Sequence, residues 1–400
     1  MNSPTPFARF NRMFQLTWRA ALVTAGLAMI VVDGRAQSRD GLEVQKARAK
    51  HVAGRAKQSH YDPNLWDLSD LPAYQPSQIV SGTIRLWGNN YVADSNLGAD
   101  WEAGFRRYHP GAHFDMSGMI SGLVATASLI TGAADVAGNR HITFAELEGF
   151  ERMFSYDPLQ IAMARGSYDV PGWMTTFCIC VHRDNPLNRL TMQQLDGIFG
   201  TARDGGWDGT SWHPEAARGA KENIRTWGQL GLTGEWKDQP IHVYGLNLRY
   251  NNCDMFERAV FHGGDKWNEN LREYANYSRA DGTLAIAANV LMADLSKDKY
   301  GIGWSGIQNL TPQTKALAIA ATAGGPYVPL TIQTVRDRSY PLAFDMFFYV
   351  NRRPGHPLDP KVREFLKYVL SREGQAAVAR DGKYLPLTAE VVQAELKKLD

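Results

Sequence analysis

Residues 83–90 read TIRLWGNN, a strand-like run that ends in a polar turn, and this pattern recurs along the chain. It is followed by a helix through Trp101, a strand at His113-Phe114-Asp115, a helix that begins near Gly118, and a third strand at Asp135-Val136-Ala137. Strands that alternate with helices typically form a parallel sheet covered by helices. The stretch therefore predicts an α/β fold.

The same alternation continues in a second block of the chain. Strands are predicted at 177–183, 241–244, 300–305, 317–320 and 342–350, and helices at 191–199 and 253–260. The most clearly marked helix begins near the C-terminus, where Asp359 can cap it and Pro360 fits its first position. Its apolar face contains Val362, Phe365, Leu366, Val369 and Leu370.

Length and composition favour two lobes. A chain of 400 residues exceeds what one hydrophobic core usually organises. The apolar fraction of 44% and the charged fraction of 21% are those of a folded globular protein. The three cysteines, Cys178, Cys180 and Cys253, are interpreted as small buried side chains, because the first two share one face of a strand and cannot easily form a disulfide.

The N-terminus has the pattern of an export signal. Arg9, Arg12 and Arg19 precede an apolar run over 20–32, and Gly34-Arg35-Ala36 offers small residues at a cleavage site. The run is shorter than the roughly 20 residues that span a bilayer. We therefore expect a periplasmic or secreted protein, cleaved near Ala36.

Charge argues against a nucleic-acid partner. Four of the 43 basic residues and one of the 41 acidic residues lie in the predicted signal peptide, so the mature chain is close to neutral. A nucleic-acid surface would retain a basic excess.

Six motifs follow one another along the chain: Asp184-Asn185-Pro186-Leu187, Leu195-Asp196-Gly197-Ile198-Phe199, 226–236 (TWGQLGLTGEW), Tyr300-Gly301-Ile302-Gly303, Tyr340-Pro341-Leu342 and 362–375. In order and spacing they resemble the phosphate-binding proteins of bacterial ABC-type phosphate importers, a type II solute-binding protein family. The resemblance runs from about Ser81 to Leu387.

The resemblance implies a type II periplasmic-binding fold, in which two α/β lobes are joined by two crossover strands and enclose a ligand cleft. The crossovers are expected near 177–183 and 342–350. The implied organisation is a signal peptide (1–36), a polar N-terminal arm (37–80) expected on the outside of the body, the first part of lobe 1 (81–178), lobe 2 (179–340) and the C-terminal part of lobe 1 (341–400).

Three turns that open helices are candidates for binding an anion, at 88–91, 118–122 and 245–252. Helix N-termini offer unpaired N–H groups and a partial positive charge. The third turn departs from the family, whose pattern resembles Gly-Arg-Asp-Ser-Gly-Ser-Gly-Thr. Here Leu246 stands at the arginine position and Asn247 at the aspartate position.

The candidate ligand-binding residues combine amides, aromatic rings and two arginines, which suit an anion or a larger polar ligand. They are Asn89, Asn90, Tyr91, Ser121, Gly122, Arg140, Asn247, Arg249, Asn251 and Asn252. Arg140 could line the cleft or brace the hinge. Tyr250 lies in the same turn, and ordinary loop roles for these residues stay open.

No motif of an enzyme, a metal site or a cofactor site is apparent. The sequence lacks His-Glu-x-x-His, Cys-x-x-Cys, a P-loop and Gly-x-Gly-x-x-Gly. We therefore predict a monomeric binding protein without cofactor or metal, which delivers phosphate or a related anion to an ABC transporter permease. The alternatives are a binding protein or sensor for a different polar ligand, and a secreted hydrolase.

Overall fold

The computed structural model describes residues 41–44, 46–53 and 56–400. The predicted signal peptide lies outside these residues, as does the start of the predicted arm. The chain divides into two compact units. One contains the described residues up to His51 together with Asn276–Ala285, and the other contains Val52–Ala275 and Ile286–Asp400.

The strands are numbered in chain order: β1 Gly82–Gly88, β2 Ala112–Asp115, β3 Val136–Asn139, β4 Leu159–Arg165, β5 Cys178–His182, β6 Arg189–Thr191, β7 Gly206–Asp208, β8 Ser211–His213, β9 His242–Leu246, β10 Arg272–Tyr274, β11 Tyr277–Ser278, β12 Leu284–Ala285, β13 Gly301–Ser305, β14 Thr314–Ala316, β15 Ala318–Ala320 and β16 Asp345–Val350.

The α-helices are α1 Tyr91–Asp94, α2 Leu97–Arg106, α3 Val124–Ile130, α4 Phe144–Phe154, α5 Met192–Phe199, α6 Asn251–Val260, α7 Ala287–Leu295, α8 Ile332–Arg336, α9 Pro360–Val369, α10 Arg372–Asp381 and α11 Ala389–Lys397. Short 3-10 helices lie at Pro63–Leu65, Pro214–Ala216, Ala220–Glu222, Trp227–Leu230, Gly234–Trp236 and Ile307–Asn309. The smaller unit contains helical residues 41–44 and 46–51 and the antiparallel pair β11–β12.

Two five-stranded sheets organise the larger unit. The first has the order β2-β1-β3-β16-β4 and the second the order β10-β9-β13-β5-β14. In the first sheet β1 is parallel to β2 and β3, whereas β16 is antiparallel to β3 and β4. In the second sheet β9 is parallel to β10 and β13, whereas β5 is antiparallel to β13 and β14.

The α/β class is confirmed, but the expectation of parallel sheets is wrong, since each sheet contains antiparallel pairs. The antiparallel strands are the ones that leave the crossovers. The chain enters β5 and β16 from the junction between the lobes, whereas β1, β3, β9 and β13 end there. This difference in direction makes each sheet mixed.

The two crossovers pair with each other. Phe177 N–H donates to the carbonyl of Leu342 at 2.8 Å, and Phe344 N–H donates to the carbonyl of Thr175 at 3.1 Å. Thr176 and Ala343 form the antiparallel bridge between these bonds. The chain therefore passes between the lobes as one short two-stranded ribbon, just before β5 and β16 begin.

A buried ion pair lies beside this ribbon. Arg165 Nη1 donates to Asp345 Oδ1 at 2.9 Å, and Arg165 Nε donates to the carbonyl of Val335 at 2.6 Å. The Arg165 side chain is 6% exposed and that of Asp345 is 12% exposed. Asp345 also accepts a hydrogen bond from Arg338. Burial disfavours the charged guanidinium and lowers the pKa of Arg165. The carboxylate of Asp345 opposes this effect and stabilises the charge.

Most of the strands and helices that the sequence predicts lie within a few residues of the expected positions. The cap of α9 is formed as expected, because Asp359 Oδ1 accepts from Lys361 N–H at 2.9 Å. We did not predict α4 or β4. The N-terminal signal of α4 was present in the sequence as the Thr143 and Glu146 pair, which forms a capping box.

The described part of the predicted arm in the larger unit contributes to the core and is not only an outer layer. Tyr61, Leu71, Tyr74 and Val80 are buried in the main hydrophobic cluster. The three cysteines are also buried and free, as predicted. Among the described residues, no helix combines the length and the apolarity needed to cross a membrane.

A polar network fixes the arm to the first lobe. Val80 N–H donates to His109 Nδ1 at 3.2 Å, and Tyr74 Oη lies 2.7 Å from His109 Nε2. Tyr74 also donates to Glu364 Oε2 at 2.8 Å. Because Nδ1 accepts, Nε2 must carry the proton, so the network requires a neutral imidazole. Burial lowers the pKa of His109, and the nearby charge of Lys367 lowers it slightly further. The carboxylate of Glu364 acts in the opposite direction.

We predict that Asp345→Ala lowers the free energy of unfolding by about 3–5 kcal/mol, because it leaves the buried Arg165 without its carboxylate. Urea denaturation of the variant and the wild type measures the change. Glu148→Ala is the control, since it breaks the exposed Arg152–Glu148 pair and should cost only about 0.3–0.5 kcal/mol. Equal losses would contradict the role given to the ion pair.

We also predict that the contribution of His109 to stability falls as the pH is lowered through 6.5, the ordinary pKa of histidine. The unfolded chain takes up a proton on His109 in this range, whereas the folded chain does so only at lower pH, so folding is penalised as acidity increases. Denaturation at about pH 7.5 and about pH 5.5, on either side of that pKa, should show a smaller difference for His109→Gln than for the wild type. A substitution at the exposed His356 should leave the difference unchanged.

Candidate functional site

The first two predicted turns and the end of β3 meet at one edge of the first sheet. Gly88 N–H donates to the carbonyl of Gly118 at 3.0 Å, and Ser121 N–H donates to the carbonyl of Gly88 at 3.0 Å. Asn89 N–H donates to the carbonyl of Gly138 at 2.7 Å. Gly88 has φ +123°, and a Cβ there would lie 2.2 Å from the Gly138 carbonyl oxygen, so this close approach requires glycine.

Arg140 lies at the centre of this edge. It follows β3 and is 6% exposed, and its Nη2 donates to the Tyr91 hydroxyl at 3.3 Å. Its guanidinium carbon is 5.3 Å from the centre of the Tyr91 ring. The Arg140 carbonyl accepts from Tyr349 Oη at 3.0 Å. The backbone of Arg140 is thereby tied to β16, while its side chain is directed towards Tyr91 and the second lobe.

The N-terminus of α6 supplies the facing contact from the second lobe. Asn252 Oδ1 accepts from Arg140 Nη1 at 3.0 Å, and Asn252 Nδ2 donates to the carbonyl of Met174 at 3.3 Å. Asn251 Nδ2 lies 3.5 Å from the carbonyl oxygen of His141. One helix end therefore contacts both the segment after β3 and the segment before the crossover.

Further contacts hold the lobes together beside Arg140. Arg258 Nη2 of α6 donates to the carbonyl of Ile142 at 2.8 Å. The rings of Phe144 in α4 and Trp207 in the β7–β8 hairpin are 4.8 Å apart. The two lobes therefore touch along this line beside Arg140.

Four of the predicted site residues meet here: Tyr91, Arg140, Asn251 and Asn252. The Arg140 side chain joins the lobes through Asn252, and a role in lining a ligand cleft stays a prediction.

The remaining residues of the first two turns make local contacts. Asn89 Oδ1 accepts from Tyr91 N–H at 3.1 Å, and the Asn90 amide donates to Asp94. Ser121 Oγ accepts from Leu123 N–H at 3.4 Å, and the Gly122 carbonyl accepts from Ala125 N–H at 3.1 Å. These contacts shape the two turns at the edge of the sheet.

Residues 247–249 of the altered third turn make contacts of their own, unlike Asn252 at the end of the same turn. Asn247 Nδ2 and Leu248 N–H both donate to Glu273 Oε2, each at 3.0 Å. Arg249 is exposed, and its guanidinium carbon lies 5.8 Å from the centre of the ring of its neighbour Tyr250. A carboxylate thus takes the donors of residues 247 and 248 that an anion would need.

Three residues near Arg140 were missed by the sequence reasoning: Trp173, Asp381 and Lys383. The ring of Trp173 is 5.2 Å from that of Tyr91, and Lys383 Nζ is 5.6 Å from the centre of the Trp173 ring. Lys383 is 1% exposed and pairs with Asp381 at 3.2 Å. The chain offers no local signal for them, since Lys383 follows a helix end where a lysine is ordinarily exposed.

The arrangement can bind an acceptor-bearing ligand through a buried guanidinium, a phenol and amide groups. Within the part of the chain that the structure describes, no group of histidine, cysteine, aspartate and glutamate side chains is arranged to hold a metal ion.

Solved structures with a similar outline include an ABC-type phosphate transport receptor from Vibrio cholerae. It is 16% identical, and the match covers 76% of this chain and 99% of that one with a TM-score of 0.46. PstS from Borrelia burgdorferi is 13% identical, and the match covers 77% of this chain and all of that one with a TM-score of 0.48.

The sequence comparisons are more specific. Residues 88–373 match the model of a PBP superfamily domain. The phosphate-binding protein PstS of Pseudomonas aeruginosa is 32% identical over 330 residues, which cover 82% of this chain and 90% of that protein. The protein SphX of Synechococcus elongatus is 24% identical over 234 residues, 58% of this chain and 59% of that protein. The chain therefore belongs to the PBP superfamily and, within it, to the family of the PstS phosphate-binding proteins.

Proposed function

We propose that this protein is an extracytoplasmic solute-binding protein that captures phosphate or a related small anion and delivers it to an ABC transporter permease. Ligand would bind between the two lobes, which would close around it. The protein would act as a monomer, without catalysis and without a cofactor.

The observation that carries this proposal is the position of Arg140. Its guanidinium is buried where two helix-opening turns of the first lobe meet the N-terminus of α6. A buried guanidinium recognises an oxyanion through charge-assisted hydrogen bonds. Asn252 is its partner from the facing lobe, so an anion that binds Arg140 would replace a contact between lobes.

Membership of the PstS family supports phosphate as the ligand, since the relative from Pseudomonas aeruginosa is named a phosphate-binding protein. The predicted signal peptide supports export. Delivery to an ABC transporter permease is the part of the proposal that we add to this family assignment.

The altered third turn favours a second candidate, a binding protein or sensor for a different polar ligand. Glu273 holds the donors at Asn247 and Leu248, and Leu246 replaces the arginine of the family pattern. A carboxylate at this position repels a phosphate dianion by simple Coulomb interaction. The two candidates differ in one measurable property, the affinity for phosphate.

We predict that calorimetric titration of residues 37–400 with phosphate gives a saturable heat and that phosphate raises the melting temperature. Arg140→Gln should weaken binding about 10- to 100-fold, because hydrogen bonds to a charged group contribute about 1.5–3 kcal/mol. Arg249→Gln is the matched comparison, and we expect a smaller effect since Arg249 is exposed.

Three outcomes would contradict different parts of this proposal. Absence of heat and of any thermal shift at millimolar phosphate would reject phosphate and favour the second candidate, with the family assignment intact. A larger loss from Arg249→Gln than from Arg140→Gln would place the anion at the third turn. Turnover of a chromogenic phosphate ester would instead support the hydrolase alternative.

A further inference from the structure

Beside Arg140, two buried donors have no hydrogen-bond partner among the described residues. They are the Tyr384 hydroxyl and the Trp173 indole N–H. Tyr384 is 1% exposed and Trp173 is 2% exposed. Buried donors are nearly always satisfied in folded proteins, so each such group requires an explanation.

The two donors belong to one cluster with Arg140. Trp173 packs on Tyr91, whose hydroxyl accepts from Arg140. Tyr384 directly follows Lys383, whose Nζ lies 5.6 Å from the centre of the Trp173 ring. A guanidinium, a phenol and an indole N–H from three separate segments of the chain therefore lie in the same buried region.

Asn252 of the facing lobe contacts this cluster. Asn252 accepts from Arg140 Nη1 through its oxygen and donates to the carbonyl of Met174, which directly follows Trp173. Separation of the lobes would remove Asn252 and expose Arg140 together with the Trp173 segment. A ligand that enters between the lobes would then meet both.

Buried donors that lack an acceptor within the protein favour a ligand with several acceptor atoms. An indole N–H can only donate, and a guanidinium can only donate. Lys383 adds a cation near the Trp173 ring, although Asp381 accepts its hydrogen bonds. A tetrahedral oxyanion offers several acceptor oxygens and a negative charge, and it matches this set better than a neutral polar ligand does.

We propose that Trp173 and Tyr384, together with Arg140, form an oxyanion subsite that replaces the altered turn at residues 245–252 as the main source of ligand hydrogen bonds. The Tyr384 hydroxyl and the Trp173 indole each donate to one ligand oxygen. This inference rests on the proposed function and specifies which residues carry it.

Tyr384→Phe tests the subsite, because it removes one hydroxyl and keeps the ring. Loss of a hydrogen bond to a charged ligand should weaken phosphate binding about 10- to 100-fold in calorimetry. The melting temperature of the ligand-free variant should stay equal or rise, since the variant no longer buries an unsatisfied hydroxyl. Trp173→Phe should weaken binding in the same direction while keeping an aromatic contact with Tyr91.

Tyr74→Phe is the matched control. It also removes a buried hydroxyl, but one that bonds Glu364 and contacts His109 away from the subsite. We expect a lower melting temperature and unchanged phosphate affinity.

Two negative results are separable. In the first, the wild type binds phosphate, and neither Tyr384→Phe nor Trp173→Phe changes the affinity by more than about threefold. That is well below the loss expected for a hydrogen bond to a charged group. The subsite is then rejected and the proposed function stands. If the wild type does not bind phosphate, the proposed function fails and the oxyanion subsite is rejected with it. If one of the two variants does not fold, the phosphate affinity of the other variant decides between these results.

Discussion

The antiparallel pairing of Thr175–Phe177 with Leu342–Phe344 determines the direction of the strands in both large sheets. Two strands that cross between lobes must enter their second sheet from the junction, so β5 and β16 run away from it. The strands beside them then end at the junction, and the turns after β1, β3 and β9 open there. Because a helix follows each of these turns, N–H groups and positive partial charge collect between the lobes.

The same ribbon explains why charge is buried nearby. Arg165 and Asp345 are partners at the base of the ribbon, and Arg140 lies at the end of β3 in the same sheet. Removing a charge from water is costly unless partners replace its hydration. Arg165 has a carboxylate within its own lobe, whereas Asn252 reaches Arg140 from the facing lobe. The contact at Arg140 can therefore respond to relative movement of the lobes.

The site shows how a family fold can persist while one binding turn changes. The turn at residues 245–252 keeps its place between β9 and α6, but Glu273 occupies donors that an anion would use. Trp173 and Tyr384, from other segments, supply buried donors close to Arg140. The backbone position of a turn depends on sheet and helix packing, and this leaves its side chains free to change.

The sequence by itself determined the alternation of strands and helices, the cap at Asp359 and the family, since these depend on neighbouring residues or on motif order. It also named Tyr91, Arg140 and Asn252. The mixed sheets, the burial of Lys383 and the contact between Arg140 and Asn252 were decided by the tertiary structure. Arg140 and Asn252 are 112 positions apart, and only chain crossing brings them within 3.0 Å. Pairing over such separations depends on packing of the whole chain, which local patterns do not encode.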